Sequence, residues 1–308
     1  MDETAAPAEE QWKRWGVRVL RFPLTRIVLF GAGIAAAAVI QALAVAGLGL
    51  WLESTWLRVV VGVVFPILAV HLAYLGLTRL LERRSAAELS LRGALRETSA
   101  GALVGAACLT LIVALIAALG FYQVQGVGAL TALLTAFAIA ATSGYVEEVI
   151  FRGVVFRILE EGLGTWLALA ISAALFGFVH LSNPNATFYG AAAIAIEAGV
   201  LLGAAYVLTR RLWLAIGIHF GWNFMVAGVF GPNLSGIQVG SVLQSQLSGP
   251  DFLSGGAFGV EGSVFAIALG LLVSAALLRR ARLQDRFIRP FWRREATLPP
   301  PIGEPTDS

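Results

Sequence analysis

Long apolar runs alternate along this chain with short polar breaks rich in arginine. A helix that crosses a bilayer needs about 20 predominantly apolar residues. Eight stretches approach that length: residues 27–50, 57–77, 100–120, 128–150, 165–181, 187–208, 212–230 and 257–278. The pattern predicts an all-α polytopic membrane protein with eight transmembrane helices. The fifth stretch is short, and the fourth ends on charge at Glu147-Glu148-Val149-Ile150-Phe151-Arg152. The basic residues partition cleanly on this count. All of the Lys and Arg residues except Arg58 fall before the first stretch, between the second and third, after the fourth, between the sixth and seventh, or after the eighth. Basic residues mark the cytoplasmic ends of spans, so both termini are expected in the cytoplasm.

Composition supports the same class. Apolar residues make up 58% of the chain and charged residues 13%, with a mean hydropathy of +0.80. Soluble domains carry about 25% charged residues, so a soluble fold is excluded. The net charge of +3 follows membrane sidedness and forms no nucleic-acid patch. The first 26 residues are polar, so no cleavable signal peptide is expected. The lone Cys108 lies in an apolar run and reads as a small buried hydrophobe. The expected organisation is a cytoplasmic segment 1–26, a membrane domain 27–278, and a tail 279–308 that is first basic and then proline-rich. The 79–97 linker could form an interfacial helix with Leu81, Leu89, Leu91 and Leu95 on its apolar side. Residues 231–256 form a Gly/Ser-rich outer loop with no clear motif.

Charge inside a span costs several kcal/mol and marks function. Glu147, Glu148 and Arg152 sit at the end of the fourth stretch, and His180 and His219 also fall inside apolar runs. Gly162-Leu163-Gly164 suits a hairpin turn between the fourth and fifth stretches. Glu147 lies 16 residues before Leu163 and His180 lies 17 after it, so the two can face each other at equal height. Glu148 and Arg152 are spaced i,i+4, the favourable order for an ion pair. Glu147 points about 100° away and lacks that partner, which makes it the candidate chemical group. Phe176 lies one turn before His180, and Asn223 one turn after His219. If the hairpin tip extends about 12 Å past the membrane boundary, the pocket falls in the cytoplasmic half of the bilayer. Two acidic or basic residues stay unassigned: His71 has no evident partner, and Glu197 could line a cavity or pair with an arginine.

These residues carry a pattern on three stretches. Glu147-Glu148…Arg152, Phe176…His180 and His219…Asn223 read as EExxxR, FxxxH and HxxxN. The chain therefore resembles the CPBP family of intramembrane proteases, which includes the CAAX prenyl proteases and bacteriocin-immunity (Abi) proteins, over a core of about residues 128–231. The resemblance implies an endopeptidase in which Glu147 and His180 activate water while His219 and Asn223 stabilise the oxyanion. Glu148, Arg152 and Phe176 support them. A metal arrangement is the second reading: Glu147, His180 and His219 would offer three ligands to one zinc ion. The implied substrate is a membrane protein or lipid-anchored peptide, met among membrane lipids and not on nucleic acid. The arginine bias suggests a bacterial inner membrane. The alternatives are a non-catalytic scaffold or immunity factor, or a proton-coupled transporter.

Overall fold

The computed structural model describes residues 22–49 and 54–294. The expectations for the N-terminal segment, the 50–53 connection and the proline-rich tail lie outside those residues. The helices are α1 (Pro23–Gly49), α2 (Thr55–Leu77), α3 (Ala94–Ala118), α4 (Ala132–Glu148), α5 (Arg157–Val179), α6 (Phe188–Ile194), α7 (Val200–Thr209), α8 (Trp213–Phe224), α9 (Asp251–Ser254) and α10 (Val264–Leu283). Two strands, β1 (Tyr122–Val127) and β2 (Leu243–Leu247), pair antiparallel. The molecule is an integral membrane protein. Among the described residues, seven helical elements are long and apolar enough to cross a bilayer.

The fourth of these elements is continuous from Ala132 to Ser182, 51 residues. A straight helix of that length would extend about 76 Å, more than twice a bilayer's hydrocarbon thickness. Gly164 prevents this. Its φ of 76° and ψ of 169° break the helix at a conformation that glycine adopts without steric cost. The two arms correspond to the fourth and fifth predicted stretches, and an eight-crossing count takes each arm as one span. The break is covered by the segment after α10, where the Thr165 amide donates to the Ile288 carbonyl at 3.0 Å.

Three expectations need correction. The 79–97 linker is not a helix. It holds a π-helical turn (Thr78–Glu82) and a short 3-10 turn (Ala87–Leu89). Leu89 is buried while Leu91 and Leu95 are exposed, so the four leucines share no face. The eighth span begins at Val264 rather than at residue 257, because Ala257 to Gly262 fall in 3-10 turns stapled to the outer loop. That loop also has structure: β2, α9 and a bridge between Leu234 and Ile237.

The closest helix contact joins α3 to α8. Gly101 and Gly105 on α3 face Gly217 and Gly221 on α8, each pair spaced i,i+4. A Cβ at Gly105 would overlap the Ile218 carbonyl oxygen, and one at Gly221 the Ala102 carbonyl oxygen. Small residues in this spacing let two helix backbones touch within a membrane. The contact sets the position of His219 and Asn223, which flank Gly221. Gly221→Leu should therefore push the helices apart. The expected cost is about 1–3 kcal/mol from overpacking, read as a lower thermal unfolding midpoint in detergent. An unchanged midpoint would show that the backbones do not touch.

Candidate active site

The acidic pair ends α4, and the helix then runs through a π-helical segment, Val149–Phe156. Four π-helical segments occur among the described residues. Two line one cavity, the one just named and Ala195–Gly199, and a third, Met225–Phe230, begins two residues after Asn223. Such segments add a residue to the turn, re-aim side chains, and cluster at functional sites.

Glu148 and Arg152 are both fully buried. Arg152 Nη1 donates to Glu148 Oε1 at 2.9 Å, and Nη2 donates to the Gly199 carbonyl at 3.0 Å. The same Glu148 oxygen accepts from His219 Nδ1 at 3.0 Å. A carboxylate is acceptor-only, so His219 carries its proton on Nδ1 and turns Nε2 toward Glu147. Glu147 Oε2 lies 3.9 Å from that nitrogen and has no hydrogen-bond partner among the described residues. His180 Nδ1 donates to the Phe176 carbonyl at 2.7 Å, which leaves Nε2 as the ring nitrogen available to the cavity. Asn223 Nδ2 donates to Ser143 Oγ at 3.0 Å, and its second amide hydrogen stays free for other work.

Phe176 stands at the centre of this group. The Arg152 guanidinium lies 4.5 Å over its ring, the His180 and His219 rings are 5.0 and 5.9 Å away, and Phe151 packs edge-on at 5.0 Å. One aromatic plate thus keeps the buried cation and both imidazoles in register.

Glu147, His180, His219, Asn223 and Phe176 all line a cavity of about 470 Å³. Glu148 and Arg152 sit behind that lining. Apolar walls come from residues such as Ile139, Val179, Leu201 and Ile218. Five polar lining residues carried no site expectation: Ser143, Asn183, Trp222, Ser235 and Glu261. Ser143 stands one turn before Glu147 on the same helix face, and that spacing could have revealed it. Glu261 is an acid in an apolar stretch. It accepts from the Trp222 indole at 3.1 Å and from the Ser235 amide and hydroxyl at 2.5 and 2.9 Å. Burial pushes its carboxyl above the usual carboxylate range, while those Ser235 and Trp222 donors pull the other way. Glu197 lines the cavity and pairs with no arginine. His71 has a partner after all: its Nδ1 lies 2.5 Å from the Tyr145 hydroxyl, outside the cavity lining.

Arg26, in the first turn of α1, bonds Glu161 at 2.5 Å near the hairpin tip, so the tip packs against the start of α1. The far wall is built by Asn183, Leu234, Ser235, Ile237 and Glu261, from connections at the end opposite the basic residues.

The donor types suit zinc, but the spacing does not. Among the described residues no group of three His, Cys, Asp or Glu side chains is gathered closely enough to hold a metal ion.

Residues 128–225 match the family model described as "Type II CAAX prenyl endopeptidase Rce1-like". Over those residues the chain is similar to the CAAX-protease family. Over 81 residues it is 32% identical to "Putative membrane peptidase YdiL" of Bacillus subtilis (strain 168). That match covers 26% of this chain and 31% of the relative, so the chain spans about a third of that protein's length. No solved structure matches the chain. The CAAX-protease match contains Glu147, His180, His219 and Asn223. It ends before Leu234, Ser235, Ile237 and Glu261, so the far wall of the cavity lies outside the CAAX-protease match.

Proposed function

We propose that this chain is an intramembrane endopeptidase acting on a membrane protein or lipid-anchored peptide, in the plasma membrane of a bacterium. The observation that carries this is Glu147: a carboxylate with an unpartnered oxygen, 3.9 Å from an imidazole nitrogen, inside an apolar cavity. A gap of that size is one that a bridging water spans. Glu147 takes a proton from the water as its oxygen attacks the scissile carbonyl carbon. His180, through Nε2, shares that water. The oxyanion then forms beside α8, where Asn223 has a free amide hydrogen. With Nδ1–H committed to Glu148, His219 donates there through Nε2–H, as the imidazolium that the Glu148 carboxylate stabilises. As the C–N bond breaks, the proton held by Glu147 passes to the leaving nitrogen.

These steps use only the chain's own groups. We infer a water held by protein alone, and purified protein in liposomes tests it. Cleavage that persists in a demonstrably metal-free sample is the expected result. Activity lost to a chelator and restored by zinc would place the water on a metal instead. His180→Ala is expected to lose cleavage. A variant that keeps biological function with no cleavage would favour a scaffold or immunity role.

The orientation has its own check. With Cys108→Ser as background, Gln238→Cys lies in the outer loop and Asp285→Cys just after α10; both positions are exposed. A membrane-impermeant maleimide added to intact cells should label position 238 and reach 285 only after permeabilisation. The reverse result would invert the protein, and with it the side from which the cavity's far wall is reached.

A further inference from the structure

Glu197 is a cavity carboxylate that the proposed mechanism does not use and that, unlike Glu261, has no donors among the described residues. It is fully buried in the π-helical segment Ala195–Gly199, and neither of its oxygens has a hydrogen-bond partner. It lines the same cavity as Glu147. Gly270 of α10 packs against its Cα and Cβ. A buried carboxylate without donors or a counter-charge costs several kcal/mol. Buried polar groups are otherwise almost always satisfied.

The surroundings sharpen the question. Three carboxylates line the cavity: Glu147, Glu197 and Glu261. Glu261 lines the same cavity as Glu197. Glu261 has its own donors in Trp222 and Ser235. No lysine or arginine lines the cavity among the described residues. Arg152, the nearest motif cation, is committed to Glu148 and to backbone carbonyls. The permanently charged cations thus lie elsewhere, and the cavity's two imidazoles, His180 and His219, are engaged by Phe176 and Glu148.

We propose that Glu197, backed by Glu261, is a substrate subsite that receives a positively charged group: a lysine or arginine side chain, or a free amino terminus. A cation there would supply the donors and counter-charge that the carboxylate lacks. Charge-assisted hydrogen bonds are the strong ones, and a buried site built for one discriminates sharply against neutral analogues. The subsite would thereby select which segment of an apolar substrate comes to rest beside Glu147. This assignment rests on the endopeptidase reading for its role, but the binding itself can be measured separately.

The test uses the full-length protein in liposomes and quenched fluorescent peptides of one apolar sequence. Each carries lysine or arginine at one position, or norleucine there instead, with its amino terminus either free or acetylated. Wild type should cleave at least one basic or free-amine peptide about tenfold faster than the acetylated norleucine peptide. The comparison of lysine with free amine identifies the source of the charge. Glu197→Gln keeps the shape and should collapse that ratio toward one, through KM more than kcat. Because the ratio is taken on one preparation, loss of folded protein cancels. An unchanged ratio in Glu197→Gln, or no preference in wild type, overturns the subsite. Equilibrium binding of the same peptides stands whether or not cleavage is seen. Preferential, Glu197-dependent binding without cleavage keeps the subsite and defeats the endopeptidase reading. Cleavage without preference does the opposite.

Discussion

Glu147→Ala and Glu147→Gln should lower kcat/KM for a cleaved peptide by about 10²–10⁴-fold, the range for loss of a general base. That is about 3–5 kcal/mol of transition-state stabilisation. Both variants should fold. Glu147 is the motif carboxylate that the fold does not use: its Oε2 has no protein partner, and its nearest charged neighbour is His219 Nε2 at 3.9 Å. Its neighbour Glu148, by contrast, holds Arg152 and His219. Removing Glu147 therefore takes away chemistry and leaves packing in place. The thermal unfolding midpoint in detergent should stay close to that of wild type while cleavage falls. Retained cleavage in both variants would sink the endopeptidase reading. A large fall in the midpoint would instead make Glu147 a structural residue.

Arg152→Met is expected to show the opposite pattern, with a loss of about 3–5 kcal/mol of stability. The guanidinium is completely buried, bonded to Glu148 and to the Gly199 carbonyl, and stacked over Phe176. Methionine fills much of the volume but leaves the Glu148 carboxylate buried without its cation. The Gly199 carbonyl also loses its side-chain donor. Replacing both partners, as Glu148→Gln with Arg152→Met, removes the stranded charge and should recover part of the loss. Chemical or thermal unfolding of the single and double variants measures this. A single variant as stable as wild type would mean that the pair does not hold the fold. Activity falls in either case, since His219 depends on Glu148 for its orientation.

The site was legible in part. Spacing alone separated Glu147 from the Glu148–Arg152 pair, because i,i+4 contacts are local to one helix. Hairpin symmetry brought Glu147 and His180 to one level, because helical rise is constant. It did not show that Glu148 also holds His219, since that bond joins α4 to α8. Nor did it show Ser143 under Asn223, or Phe176 as the plate between Arg152 and two imidazoles. The π-helical segments have no clear sequence signal here, and they shift side chains off the 100° spacing on which face assignments rest. Spacing also did not show that the hairpin tip is tied to the start of α1 through Arg26 and Glu161, since that bond joins residues far apart in the chain.

By itself, the sequence determined what lipid and local geometry dictate. Backbone groups cannot go unpaired in hydrocarbon, so the apolar runs had to be helices, and the arginines had to gather at one end of them. Buried charge in those runs had to be neutralised or used, so Glu147, Glu148, Arg152, His180 and His219 declared themselves. The tertiary structure alone decided which of these groups is satisfied and which is left over. That depends on contacts between helices far apart in the chain, above all the glycine-mediated approach of α3 to α8 and the closing of the outer loop over the cavity. Those contacts bring His219 to Glu148 and give Glu261 its donors, and they leave Glu147 and Glu197 with oxygens that nothing among the described residues satisfies.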